Sequence, residues 1–122
     1  MSMIHECRGD NKEFGVDGTK DVTFYFSKSG YTSANDTETE KYGDRHKIAR
    51  RFVIRANKSF QIVSYDDATF TDPIPVVVGD GTIVPASAIH KEDLDARGLT
   101  SMLLRTSEAS GTLTEFKIRW RG

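Results

Sequence analysis

Apolar and polar side chains alternate with a period of two along much of this chain, and that period predicts strands rather than helices. In "DVTFYFS", residues 21–27, Val22, Phe24 and Phe26 share one face and Thr23, Tyr25 and Ser27 the other. In "IARRFVIRA", residues 48–56, Phe52, Ile54 and Ala56 oppose Arg51, Val53 and Arg55. "FQIVSY", residues 60–65, sets Phe60 and Ile62 against Gln61, Val63 and Tyr65. Towards the end, Phe116, Ile118 and Trp120 form an apolar stripe, with Glu115, Lys117 and Arg119 on the wet side. Each pattern is that of a half-buried strand, one face on a core and one in water.

The residues between these runs predict how they connect. Asn57-Lys58-Ser59 reads as a three-residue hairpin turn that pairs Ala56 with Phe60 and Ile54 with Ile62. A two-residue turn would set Arg55 against Phe60 and mix the faces. "LTSMLLRT" and "TLTEFKIRW" read as a second hairpin, with a loop from Ser107 to Gly111, Met102 opposite Phe116 and Leu104 opposite Thr114. Asp66-Asp67 closes a further turn. Pro73 and Pro75 confine the start of "PIPVVV" to a sheet edge or a bend, and Gly79-Asp80-Gly81 reads as the turn into "TIVPAS". "HKEDLDAR", residues 90–97, reads as one or two helical turns stopped by Gly98. Residues 1–20, polar and interrupted by glycines, read as an irregular N-terminal arm. Residues 28–47 form a long polar loop whose few apolar side chains are Tyr31, Ala34 and Tyr42. A loop of that length in a compact domain is expected to bind something or to be mobile.

These elements amount to about seven or eight short strands at sandwich spacing, with no βαβ rhythm. The expected fold is all-β: a single-domain antiparallel β-sandwich over residues 21–122, jelly-roll-like or immunoglobulin-like. The length of 122 residues suits one domain, and 37% hydrophobic with 29% charged residues suits a thin two-layer one.

Candidate chemistry adds little. Cys7 is the lone cysteine, so the chain can form neither an internal disulfide nor a cysteine-based zinc site on its own. His5, His46 and His90 lie far apart and outside any two-histidine metal spacing. The alternating acids Asp36, Glu38 and Glu40 imitate a calcium loop, but Lys41 and Lys47 stand where its glycine and final acid belong. No serine sits in a nucleophile elbow. Arg8-Gly9-Asp10 and two glycosylation sequons, at Asn35 and Asn57, are short matches, and since the opening residues carry no apolar signal core, no secretory route is expected to give them meaning. The expectation is a protein that is not an enzyme and needs no cofactor or metal. No apolar run approaches the roughly 20 residues of a membrane span, so a cytoplasmic, membrane-free setting is expected.

Charge changes the picture more. The net charge is −1, yet residues 45–65 hold Arg45, Lys47, Arg50, Arg51, Arg55 and Lys58 and no acid. Acids crowd the loop before them. A nucleic-acid reader would add exposed stacking aromatics, with Tyr65 on the face of Arg51 and Arg55 as the candidate. The near-neutral total argues instead that these arginines meet acids of the same chain or of a neighbour. The candidate contact residues are Tyr31, Tyr42, Arg45, Arg51, Arg55 and Tyr65.

"RANKSFQIVSYDDATFTDPIPV" and "GLTSMLLRTSEASGTLTEFKIRWRG" together resemble the small β-sandwich virion structural proteins of tailed bacteriophages, over about the last two-thirds of the chain. The resemblance implies a capsid decoration or cement protein, or a head–tail connector, tail or baseplate component. It implies a homo-oligomer, a trimer being one form, that binds a major capsid protein or another virion protein and ends in the virion after assembly in the host cytoplasm. It carries over no active-site residues. A carbohydrate-binding sandwich is the reading from another class; it needs exposed aromatics, and Trp120 falls on the apolar stripe.

Overall fold

The computed structural model describes residues 10–26, 36–43, 49, 51–67, 76–93 and 99–121. They form nine strands: β1 (Asp10–Asp17), β2 (Asp21–Tyr25), β3 (Glu40–Tyr42), β4 (Arg51–Ala56), β5 (Phe60–Asp67), β6 (Val76–Val84), β7 (His90–Asp93), β8 (Leu99–Thr106) and β9 (Leu113–Arg121). One sheet has the order β1-β9-β4-β7 and the other β3-β2-β8-β5-β6. Neighbouring strands are antiparallel except β2 and β3, which run parallel. The fold is a β-sandwich.

The alternation seen in the sequence is what builds the core. Every second residue of β9 (Thr114, Phe116, Ile118, Trp120) is buried, and the residues between are exposed. Phe52, Ile54 and Ala56 of β4 join them from the same sheet, while Val22, Phe24, Phe60, Ile62, Met102 and Leu104 face them from the other. Aromatic rings lock the layers together: Phe60 meets Phe116 edge-on at 4.9 Å, and Trp120 meets Phe24 at 5.3 Å and Phe26 at 5.5 Å. Edge-to-face contacts at these distances add to the hydrophobic gain, which is itself about 1.5–3 kcal/mol per large buried side chain.

Side-chain faces follow the sequence reading; strand partners do not. The expected β4–β5 hairpin is absent. Ala56 pairs with Phe116 and Phe60 with Thr106, because the connector Asn57–Ser59 crosses from one sheet to the other. Asn57 fixes the crossing: its Oδ1 accepts the Glu115 N–H at 2.7 Å and its own N–H donates to the Glu115 carbonyl at 3.3 Å. The expected β8–β9 hairpin is likewise replaced by a crossing, with β8 between β2 and β5 and β9 between β1 and β4. Met102 and Phe116 are both buried, in opposite sheets of the same core.

Five further expectations are corrected. Asp66 and Asp67 close no turn; they continue β5, paired with Ser101 and Leu99 of β8. The arm at 1–20 contains β1, which pairs with β9 from Asp10↔Trp120 to Asp17↔Leu113. The loop at 28–47 contains β3, and its Asp36 holds Lys12 of β1 at 2.8 Å. The helical turn at 90–97 is in its first half strand β7, paired with β4. Gly79-Asp80-Gly81 lies within β6 rather than between two strands. There the pairing jumps from Ile62↔Thr82 to Ser64↔Val77, so the chain bulges between the two paired stretches. Strand β6 is an edge, as its prolines required, although Pro73 and Pro75 themselves lie outside the described residues.

At one end of the sandwich two crossings run side by side, β1 to β2 and β8 to β9. Gly18 donates to the Thr112 carbonyl at 3.1 Å, and Gly111, at φ 91°, donates to Asp17 Oδ1 at 2.7 Å. Thr106, fully buried, links them: its hydroxyl donates to the Gly18 carbonyl at 2.7 Å and accepts the Lys20 N–H at 2.9 Å. Thr106→Val keeps the shape and removes both bonds. It should lower stability by about 1–2 kcal/mol, since buried partners are left unsatisfied; an unchanged urea midpoint would show that the hydroxyl contributes nothing.

Candidate functional site

The alternation that buries Phe116, Ile118 and Trp120 forces Lys117, Arg119 and Arg121 outward. Register then decides what stands beside them. Arg51 lies opposite Arg121, Val53 opposite Arg119 and Arg55 opposite Lys117. Strand β7 adds Lys91 on the far side of Val53 and places Asp93 beside Arg51. The outer face of β9, β4 and β7 thus gathers Arg51, Arg55, Lys91, Lys117, Arg119 and Arg121, all exposed.

Side chains directly opposite in antiparallel strands are neighbours, and like charges there are destabilising. The sheet nevertheless sets arginine against arginine at Arg51↔Arg121 and arginine against lysine at Arg55↔Lys117. Relief is partial. Lys117 Nζ lies 3.6 Å from Glu13 Oε1, between side chains that are both more than half exposed, and such pairs contribute little. Among the described residues, Arg55, Lys91 and Arg119 have no ion-pair partner. Beside Arg55 and Lys117 is an open depression of about 250 Å³, completed by Ala56, Asn57, Ser87 and Glu115.

Arg105, on the other sheet, is different. Asp21 grips it with two hydrogen bonds, at 2.7 and 3.0 Å. The hydrogen bond from Arg105 holds the Asp21 carboxyl below its usual range, opposed by burial and aided by the charge of Arg105. A carboxyl held low in the folded state stabilises above its unfolded value of about 3.9, and that contribution disappears as pH falls through the folded value. The small melting-temperature gap between the wild type and Asp21→Asn should therefore close as pH drops below about 4. A gap that persists at lower pH would show that the pair is not its source.

Of the candidate contact residues, Arg51 and Arg55 fall on the cationic face. Tyr65 does not join them, because β5 belongs to the opposite sheet. Tyr42 is buried at 6% exposure, stacked on Tyr25 with ring centroids 5.0 Å apart, and its hydroxyl donates to Glu40 at 2.6 Å. Tyr31 and Arg45 lie outside the described residues. Lys91, Lys117, Arg119 and Arg121 were missed as members of a site. Their signal was present as Lys-x-Arg-x-Arg in β9 and Arg-x-Val-x-Arg in β4, two period-two strings that are adjacent only once β4 is paired with β9. Trp120 is 2% exposed and in the core, so it offers no platform for a sugar ring.

No protein-family model matches the chain, and no curated protein or solved structure is significantly similar to it. The sheet face and its chemistry therefore carry the functional reading.

Proposed function

We propose that this chain is a non-enzymatic structural protein of a virion, a decoration or cement protein that binds a capsid lattice as a homo-oligomer. Service as a head–tail connector or as a tail or baseplate component is the alternative within the same class. The observation that supports the reading is the cationic outer face, where, among the described residues, Arg55 opposite Lys117 and Arg119 between Val53 and Asn11 have no ion-pair partner. A sheet that tolerates this repulsion gains from a partner that relieves it, and complementary potentials are how interfaces fix register and exclude wrong partners. The sequence resemblance supplies the kind of assembly.

The test is co-migration. Particles purified from the producing cells on a density gradient should carry the chain in many copies per particle. About 1 M salt, with a Debye length near 3 Å, should strip much of it. A chain found only in the soluble fraction overturns the proposal.

A further inference from the structure

We infer that the cationic face takes a carboxylate-bearing protein surface, seated at the depression beside Arg55 and Lys117, and not a nucleic acid. This deepens the assembly reading and rests on it.

Three observations carry the inference. First, the face is of mixed sign with a pattern. Cations occupy β4, β7 and the later part of β9, with Asp93 at the register of Arg51, while Glu13 of β1 and Glu115 at the start of β9 make the other side acidic, Glu13 opposite Lys117 and Glu115 opposite Gly15. A protein surface can present carboxylates to the centre and lysines to that acidic side. A nucleic acid is negative throughout and would meet Glu13 and Glu115 with repulsion. Second, among the outward residues of β1, β9, β4 and β7 that are described, no aromatic side chain offers a base a stacking surface, and stacking supplies much of single-strand binding. With a net charge of −1, the chain as a whole does not attract an extended polyanion. Third, four of the six cations are arginines. Their planar forks bind carboxylates through paired hydrogen bonds, a geometry lysine lacks. The depression that Arg55 and Lys117 line is completed by Ala56, Asn57, Ser87 and Glu115, so a protein partner can set a carboxylate against the two cations and a donor against Glu115. Arginines beside a partly enclosed pocket are where binding energy concentrates in protein interfaces.

The experiment uses the full chain and two fluorescent probes. One is a peptide of about twenty residues with a central glutamate block and lysines at both ends; the other is an oligothymidylate of about twenty nucleotides. Both are titrated by anisotropy at about 0.1 M salt. The peptide should bind more tightly than the oligonucleotide. Arg55→Glu with Arg119→Glu should weaken peptide binding at least about tenfold, and the milder Arg55→Gln with Arg119→Gln should weaken it by a smaller factor. Arg105→Glu, on the opposite sheet, should leave it within about twofold. Thermal melts of each variant check that the fold is retained. Oligonucleotide binding as tight as the peptide's assigns the face to nucleic acid and overturns the inference. So does a peptide that fails to bind, or one whose binding ignores both double substitutions. Particle co-migration is read separately, so a chain that binds the peptide but no particle sinks the virion reading and leaves the face chemistry standing.

Discussion

Phe116→Ala is expected to cost about 3–5 kcal/mol, while Lys117→Ala one position along should change stability by no more than about 0.5 kcal/mol. Phe116 is 1% exposed. Its ring stacks on Phe14 at 5.1 Å and receives Phe60 edge-on at 4.9 Å, so it joins β9, its neighbour β1 and the facing strand β5. Truncation removes the transfer gain of the ring and leaves a cavity walled by two other aromatics, which cannot collapse into it without leaving their own contacts. Lys117 points into water on a strand whose exposed and buried residues alternate without exception from Leu113 to Arg121. Its contact with Glu13 is long and screened. Urea unfolding of the two variants decides the matter. Midpoints that fall equally would mean the inner and outer faces of β9 are misassigned.

Gly43→Ala is expected to cost about 1–3 kcal/mol through overpacking. Gly43 follows β3 and is buried, with its N–H donated to the Tyr25 carbonyl at 3.0 Å. A Cβ there would lie 2.5 Å from Cζ2 of Trp120 and 2.8 Å from its Cη2. Those atoms belong to a rigid ring that is itself packed on Phe24 and Phe26, so moving them disturbs both contacts. Either β3 moves off β2 or the indole tilts. Trp120 is the only tryptophan, so its fluorescence reports the change directly. An emission maximum and an unfolding midpoint both unchanged from wild type would show that the backbone does not approach the indole so closely.

The division between what was legible and what was not has a physical cause. The period of two states which way each side chain points, and Phe52, Ile54, Phe60, Ile62, Phe116, Ile118 and Trp120 are all buried as their alternation required. It says nothing about which strand lies alongside. A short connector can close a hairpin within one sheet or arch over to the other, and both outcomes bury the same residues. What selects the arch is a set of long-range bonds, Asn57 to Glu115 and Thr106 to Gly18, whose partners are far apart in sequence. Strand β1 was hidden for another reason. Its inward positions are Lys12, Phe14 and Val16, and Lys12 is a charged residue at a core-facing register, made acceptable by Asp36 at the sandwich edge. The candidate site was half legible for the same reason as the fold. Arg51 and Arg55 stood out as a run, but Lys117 and Arg119 looked like any solvated stripe until pairing set them beside it.

The pairing of β1 with β9 also bears on how the protein comes off the ribosome. Asp10 is among the earliest described residues to be made and its partner Trp120 among the last. Synthesis runs at about 5–20 residues per second, so β1 waits several seconds for the strand that covers its hydrogen-bonding edge. Strand β4 waits as well, since β9 also lies beside it. The four-stranded sheet cannot close until β9 has left the ribosome exit tunnel, so this half of the sandwich forms only once nearly all of its described residues have been made. In that interval the exposed edges of β1 and β4 are open to the same strands of a neighbouring nascent chain, and dense expression should favour exchange of β9 between copies.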